Sequence, residues 1–300
     1  MAIDFDENIK VDYLEDERLA SRKIKLGILR LDKIHPEISG NKWFKLKENI
    51  KAAIELQHDS ILTFGGAYSN HLAAAAAAAH SFGLKSIGIV RGLHGDAQSS
   101  PTLSFCREKG MHIEFVSREV YQLKYDDAYL ATLSAQYNQP YMIPEGGNNQ
   151  AGRIGCMSIV PHIPQSATHV AISLGTGTTF CGVADALYND VNLLGFPVMK
   201  GGNYLLEEVK PFINNPGLSY SLNDLYHFGG FAKSSPVLID FMNDFYLKHN
   251  IRLDFVYTAK MMYGIFDLIE KGYFPESTHL IAIHTGGLQG NLSLGSKIIF

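Results

Sequence analysis

Lys42 stands in "SGNKWFKLKENI" (39–50), where Ser39, Gly40 and Asn41 read as a turn and an N-cap, with a helix following at once. A cation in the first turn opposes the helix dipole. The plain reading is a solvated lysine among Lys45, Lys47 and Lys51. The chemical reading is a Schiff-base lysine, because an amine partly desolvated at a helix N-terminus has its pKa lowered and serves as nucleophile and base. A second candidate is "FGGAYSNHLAAAA" (64–76), a strand end and two glycines before Ser69 and Asn70 open a helix. The N–H groups of such a helix start suit a carboxylate, although Ser69 as a simple N-cap accounts for the same pattern. His71 and His80 are nine apart, the wrong spacing for ligands on adjacent turns, and no metal site is read from them. The third is "SLGTGTTFCG" (173–182), where the backbone at Gly175 and Gly177 and the hydroxyls of Thr176, Thr178 and Thr179 suit a phosphate dianion. A tight turn is the alternative. No GK[ST] ends this loop, and Phe180 occupies the place of the third glycine in G-x-G-x-x-G, so a nicotinamide dinucleotide is poorly supported.

The elements that must position these residues alternate short β-like runs with helical stretches, which predicts an α/β fold with a largely parallel sheet. Strands are predicted at 24–31, 60–64, 85–90, 112–116 and 140–143, with helices over 42–56, the alanine run Ala73 to Ala79, the stretch near 100–110, and 124–137. Trp43, Leu46, Ile50 and Ile54 recur at helical spacing and predict the buried face of the 42–56 helix. A second series runs from a strand at 168–174 through a helix from about 178, a strand at 191–196, helices over 235–250 and 259–272, and a strand at 279–285. Between 144 and 166 Gly, Asn and Pro are frequent, which reads as a crossing between two lobes.

Composition narrows the function classes. A chain of 300 residues with 46% hydrophobic content has ample material for one large domain or two lobes. A net charge of −4 with scattered basic residues gives no footprint for nucleic acid or an anionic membrane. The acidic first twenty residues lack the apolar run of a signal peptide, and no segment has the length of a spanning helix. Cys106, Cys156 and Cys181 are odd in number and widely spaced, which predicts neither a disulfide framework nor a zinc site and fits a reducing cytoplasm.

The order of the three sites is more specific than any one of them. With "GNKWFKL", "GGAYSN", "IPEGGNNQAGRIG", "SLGTGTT", "FVYTAKMMYG" and "HTGG", the chain resembles the fold-type-II pyridoxal-phosphate enzymes, specifically the 1-aminocyclopropane-1-carboxylate deaminase/D-cysteine desulfhydrase family. The resemblance runs from about residue 24 to the end. It implies a two-lobed, tryptophan synthase β-like fold of open, twisted, mostly parallel sheets with helices on both faces. The large domain would be 1–46 plus 162–300, the small domain 47–161, with pyridoxal 5'-phosphate between them, in a homodimer. It also implies that Lys42 carries the cofactor, with Ser69 and Tyr257 completing the catalytic set. Asn70 would lie beside the cofactor's phenolic oxygen, the phosphate on Gly175, Thr176, Gly177, Thr178 and Thr179, and Thr258 at the pyridine nitrogen. Ser69, Asn70, His71, Phe231, Tyr257 and Thr285 would face the substrate, a small amino acid; no metal is implied.

Three positions bear on which amino acid. The deaminases resembled here have a glutamate after the tyrosine of "VYEGK", whereas "VYTAK" gives Thr258, whose hydroxyl is expected to leave the ring nitrogen neutral. "HTGG" has Thr285 where the deaminases carry leucine, and Phe231 aligns with a second active-site tyrosine. The first two match the desulfhydrase pattern and imply β-elimination from D-cysteine. A cyclopropane deaminase, another D-amino-acid lyase or a racemase are sister alternatives. A non-catalytic binder of pyridoxal phosphate or another phosphate ligand is the alternative from another class.

Overall fold

The computed structural model describes residues 9–92 and 100–300, so residues 1–8 of the acidic N-terminal stretch lie outside the described residues. The chain divides into two compact units, Met1–Asn41 with Cys156–Phe300, and Lys42–Gly155. These boundaries fall at 41/42 and 155/156, against the 46/47 and 161/162 expected.

The first unit begins with strand β1 (Val11–Tyr13), helix α1 (Glu17–Ser21) and strand β2 (Lys25–Arg30). The second unit holds nearly all of α2 (Asn41–Glu55), then β3 (Ser60–Gly65), α3 (Asn70–Ser81), β4 (Lys85–Arg91), α4 (Pro101–Glu108), β5 (Met111–Val116), α5 (Arg118–Gln122), α6 (Asp127–Gln136), β6 (Tyr141–Ile143) and most of α7 (Gln150–Met157), whose last two residues lie past the boundary. The chain re-enters the first unit with β7 (His169–Leu174), α8 (Thr178–Ala186), β8 (Asn192–Pro197), α9 (Tyr204–Val209), β9 (Tyr220–Leu222), α10 (Pro236–His249), α11 (Thr258–Glu270) and β10 (His279–His284).

In the first unit six strands lie in the order β1-β2-β10-β7-β8-β9, and only β1 runs antiparallel to its neighbour. Strands β2, β7, β8 and β10 are buried almost end to end, as parallel strands covered on both faces must be. Leu26, Ile28, Ala171, Leu194, Phe196, Leu280 and Ala282 share one core with the apolar faces of α10 and α11. The N-terminus of α10 is set by Ser235, which accepts from Leu238 N, and by Pro236 at its first position.

The second unit is a four-stranded parallel sheet, β5-β4-β3-β6. One core joins Leu62, Phe64, Ile87, Ile89 and Val116 to Tyr121 and Leu133. Helix α3 lies close to β3 and β4: a methyl at Gly88 would meet Leu72 Cδ2 at 3.3 Å, and all seven alanines of the run are buried. Small side chains let the helix approach the sheet this closely.

Several expectations need correction. Ile54 is 46% exposed although Trp43, Leu46 and Ile50 are buried as expected; it sits in the last turn of α2, next to the exposed chain at Leu56. The strands β1 and β9 and the helices α1, α5, α7 and α9 are additions. Helix α7 hides in the Gly- and Asn-rich stretch because Gly152 and Gly155 serve packing rather than turning. A methyl at Gly155 would overlap the Phe44 carbonyl oxygen of α2. Gly155→Ala is therefore expected to destabilise the fold by about 3 kcal/mol, seen as a lower urea midpoint, and an unchanged midpoint would show that α7 does not press on α2.

Candidate functional site

In the first unit β7 ends in the loop 175–177, and α8 starts from Gly177 at φ 76°, with no side chain capping its N-terminus. Left-handed backbone and space both require glycine here, since a methyl would lie 2.5 Å from Val209 Cγ1. Thr178 and Thr179 are buried, and Thr176 Oγ1 is hydrogen-bonded to Thr178 Oγ1 at 2.8 Å. Ser173, just before the loop, keeps a buried hydroxyl with no hydrogen-bond partner among the described residues. A helix end that exposes its first amides to no side-chain cap attracts an anion.

The turn ahead of Lys42 is fastened to the same unit at four points. Ser39 Oγ donates to Asp32 O at 3.0 Å, Gly40 N to Leu31 O at 2.9 Å, and Asn41 N to Thr285 O at 3.2 Å. The Asn41 amide Nδ2 donates to Thr179 Oγ1 at 2.8 Å. Gly40 has φ 71°, and a methyl there would overlap the Thr285 carbonyl, so the turn admits only glycine. Thr285 thus meets this turn through its backbone, and its side chain is buried. The bond from Asn41 was missed in the sequence, where Asn41 read only as part of a cap.

The start of α11 supplies the other expected residues. A methyl at Gly175 would meet Tyr257 Cε1 at 3.1 Å and its Oη at 3.2 Å, so the phenol lies over the loop backbone. Phe231 stands edge-on to Tyr257, with ring centroids 6.1 Å apart at 72°. Thr258 is fully buried, and its hydroxyl donates to Asp254 Oδ1 at 2.8 Å while accepting from Asp254 N at 2.8 Å. Asp254 Oδ1 also takes Thr258 N, and Oδ2 takes Val256 N and Tyr257 N. Burial pushes the Asp254 carboxyl up, but four donors on two oxygens hold it as an acceptor. The Thr258 proton is therefore committed, and its hydroxyl has only a lone pair to offer elsewhere. The sequence expectation set this hydroxyl beside a neutral ring nitrogen; its bonds to Asp254 leave it no proton for such a nitrogen.

In the second unit Lys42 is half-buried in the first turn of α2, and Lys45, one turn on, is buried rather than solvated. Ser69 caps α3 by accepting from Leu72 N at 3.3 Å, and Asn70 is the first residue of that helix. His71 is buried, with Nε2 hydrogen-bonded to Thr63 Oγ1 at 2.8 Å and Nδ1 without a partner among the described residues. Burial first, then the charges of Lys42 and Lys45, lower His71 to about 3. It is a neutral imidazole beside two lysines. Thr63, its partner, had no signal in the sequence beyond a strand position.

Two outcomes follow. Asn41→Ala leaves a buried threonine hydroxyl without its donor and is expected to cost about 1–2 kcal/mol in urea unfolding. Because His71 stays neutral in the folded chain to about 3, well below the 6.5 of an exposed histidine, its contribution is present above pH 6.5 and is lost as pH falls. Between those limits the stability of the chain should fall with pH more steeply than that of His71→Gln, by about 1.4 kcal/mol per pH unit. Parallel slopes would place His71 in water.

No protein-family model matches the chain. A putative 1-aminocyclopropane-1-carboxylate deaminase of Pyrococcus furiosus is 28% identical over 288 residues, covering 87% of this chain and 84% of the relative. A bifunctional D-cysteine desulfhydrase/1-aminocyclopropane-1-carboxylate deaminase of Arabidopsis thaliana, mitochondrial, is 27% identical, covering 89% of this chain and 73% of the relative. The crystal structure of an ACC deaminase homologue superposes with a TM-score of 0.83 at 24% identity, covering 96% of this chain and 92% of that one. Over most of its length the chain is a homologue of proteins named as 1-aminocyclopropane-1-carboxylate deaminases and D-cysteine desulfhydrases, and it has their fold.

Proposed function

We propose that the chain is a pyridoxal-phosphate-dependent lyase that eliminates the side-chain thiol of D-cysteine, taking up water and releasing pyruvate, ammonia and hydrogen sulfide. One observation carries the reading: Asn41 reaches Thr179 of the glycine loop, and Lys42 is the next residue of the chain. Consecutive Cα atoms are about 3.8 Å apart, so the start of the Lys42 helix and the anion-attracting end of α8 are neighbours through covalent geometry.

The residues present fit the cofactor. The glycine backbone at 175 and 177, the uncapped start of α8 and the threonine hydroxyls match a phosphate. The orphaned Ser173 Oγ and His71 Nδ1 are buried polar atoms of the kind a ligand satisfies. When bound, pyridoxal phosphate supplies an aldehyde for covalent capture of an amine and a conjugated ring that accepts an electron pair.

Residues 175–179 would hold the phosphate, and Lys42 would hold the aldehyde carbon. Asn70 would hold the phenolic oxygen, and Thr258 would offer a lone pair toward the ring nitrogen. Ser69, which keeps a hydroxyl proton to donate, and the amides of the α3 start receive the substrate carboxylate. The Lys42 amine, free once the substrate amine has taken its place, would take the Cα proton, and its neutral neighbour His71 adds no third positive charge. The Tyr257 phenol protonates the departing thiolate. Phe231, unable to exchange a proton, lines the substrate beside it. Thr258 and Thr285 match the desulfhydrase pattern in sequence and so support D-cysteine over the cyclopropane amino acid, the sister reading, by resemblance and not through a weakened electron sink. The resemblance further supports a homodimer in the cytoplasm; sedimentation at twice the chain mass of 33.2 kDa checks its first part.

Lys42→Ala should lose both the near-visible absorbance of the covalently held cofactor and sulfide release from D-cysteine, with turnover down by about 10⁴-fold or more. Retention of both would overturn the assignment. Sulfide should form from D-cysteine with kcat/KM at least about a hundredfold above ammonia release from the cyclopropane amino acid. Comparable rates would favour the sister reading.

A further inference from the structure

Lys260 lies on α11 at 1% exposure, one turn after Tyr257, where a cation needs a partner. Its Nζ donates to Gly230 O at 2.7 Å. Burial lowers the amine to about 8, and the Asp254 carboxylate opposes part of that fall.

The segment it grips is strained. Phe228 has φ 50°, Gly229 89°, Gly230 115° and Ala232 54°, so four of five successive residues are left-handed and two of them are not glycine. Such backbone persists only where its surroundings over-determine it. Bonds inside the turn shape it: Gly229 N to His227 Nδ1, Gly230 N to His227 O and Lys233 N to Gly230 O. Two contacts tie it to α11, the Lys260 bond and the Phe228 ring set edge-on to Tyr263 at 5.0 Å. The residue after Gly230 is Phe231, whose ring meets Tyr257, whose phenol in turn covers Gly175 of the loop. One short series of contacts therefore joins a buried ammonium to the anion-attracting end of α8.

We infer that Lys260 is a positioning residue that fixes the turn at 227–233, holds Phe231 against Tyr257, and so sets which small amino-acid side chains the enzyme accepts. A phenyl edge there favours soft, weakly hydrated groups such as a thiol or chloride over a hydroxyl or a second carboxylate. The inference deepens the lyase reading, and its first readout is independent of that reading.

The test is Lys260→Met and Lys260→Arg in the full-length protein, with trypsin cleavage after the exposed Lys233 as the first measurement. Lys260→Met should be cut about tenfold faster than wild type, and Lys260→Arg, which keeps a cationic donor, within about twofold of wild type. With D-cysteine, Lys260→Met should raise KM about tenfold while kcat changes by less than about twofold, and should narrow the preference for β-chloroalanine over serine. Cleavage of Lys260→Met at the wild-type rate overturns the inference, as does a loss confined to kcat. If the chain proves inactive, the cleavage rates still decide. If Lys260→Met does not fold, hydrogen exchange in wild type decides: the Gly230 and Lys233 amides must be protected, and exchange at the rate of an unstructured peptide overturns the proposal.

Discussion

Everything proposed for this chain depends on the turn before Lys42. Three backbone or side-chain bonds, to Asp32 O, Leu31 O and Thr285 O, fix its path, and the Asn41 amide bonded to Thr179 fixes its end. Each is worth about 1 kcal/mol in net stability, too little to explain a fold. Their value is angular. With Gly40 closed in by the Thr285 carbonyl, the turn keeps one path as far as Asn41, and the next residue of the chain, Lys42, is the first of α2 able to do covalent chemistry.

The support continues one layer down. Arg30 is buried, forks onto Asp32 at 2.8 and 2.6 Å, and reaches Asp12 at 2.6 Å. His284 Nδ1 accepts from Gly286 N at 3.2 Å while Nε2 donates to Arg252 O at 2.7 Å, which fixes its tautomer and the exit of β10. Buried ion pairs add little net stability, since desolvation offsets their attraction. What this network provides is a stiff floor: Asp32 and Thr285, two of the three residues whose carbonyls receive the turn, are both held by it or next to it. In the second unit the same economy of charge appears at His71, neutral because burial and two lysines leave no room for a third cation.

Much of this was legible in the sequence because it was local. Strand, glycine loop and helix start leave a fixed signature, and all three sites named on that basis lie at strand ends or helix N-termini. What was not legible was set by distant partners or by glycines used for packing. Gly152 and Gly155 looked like breakers because close helix approach and chain reversal use the same residue. Strands β1 and β9 are three residues each, too short for an alternating pattern to declare itself. The side chains that orient the site, Asn41 on Thr179 and Lys260 on Gly230, span 138 and 30 residues, and no local rule pairs them.

Thr258 shows how such a pairing changes a chemical conclusion. Taken alone, a threonine in place of a glutamate looks like the loss of a carboxylate. Asp254 sits directly behind it, buried, with one oxygen bonded to the threonine hydroxyl. The hydroxyl donates there, so toward any other group it is an acceptor, and an acceptor is complementary to a nitrogen that carries a proton, not to a bare one. The carboxylate has been moved back by one hydroxyl rather than removed. Under the proposed lyase reading, position 258 would weaken the electron sink less than its side chain suggests, and discrimination between an activated thiol and an unactivated ring would fall more heavily on the groups that touch the side chain of the substrate. In that reading Phe231, which aligns with a tyrosine of the enzymes the chain resembles, would be one of them, and it stands on a strained turn bonded to α11 through Lys260.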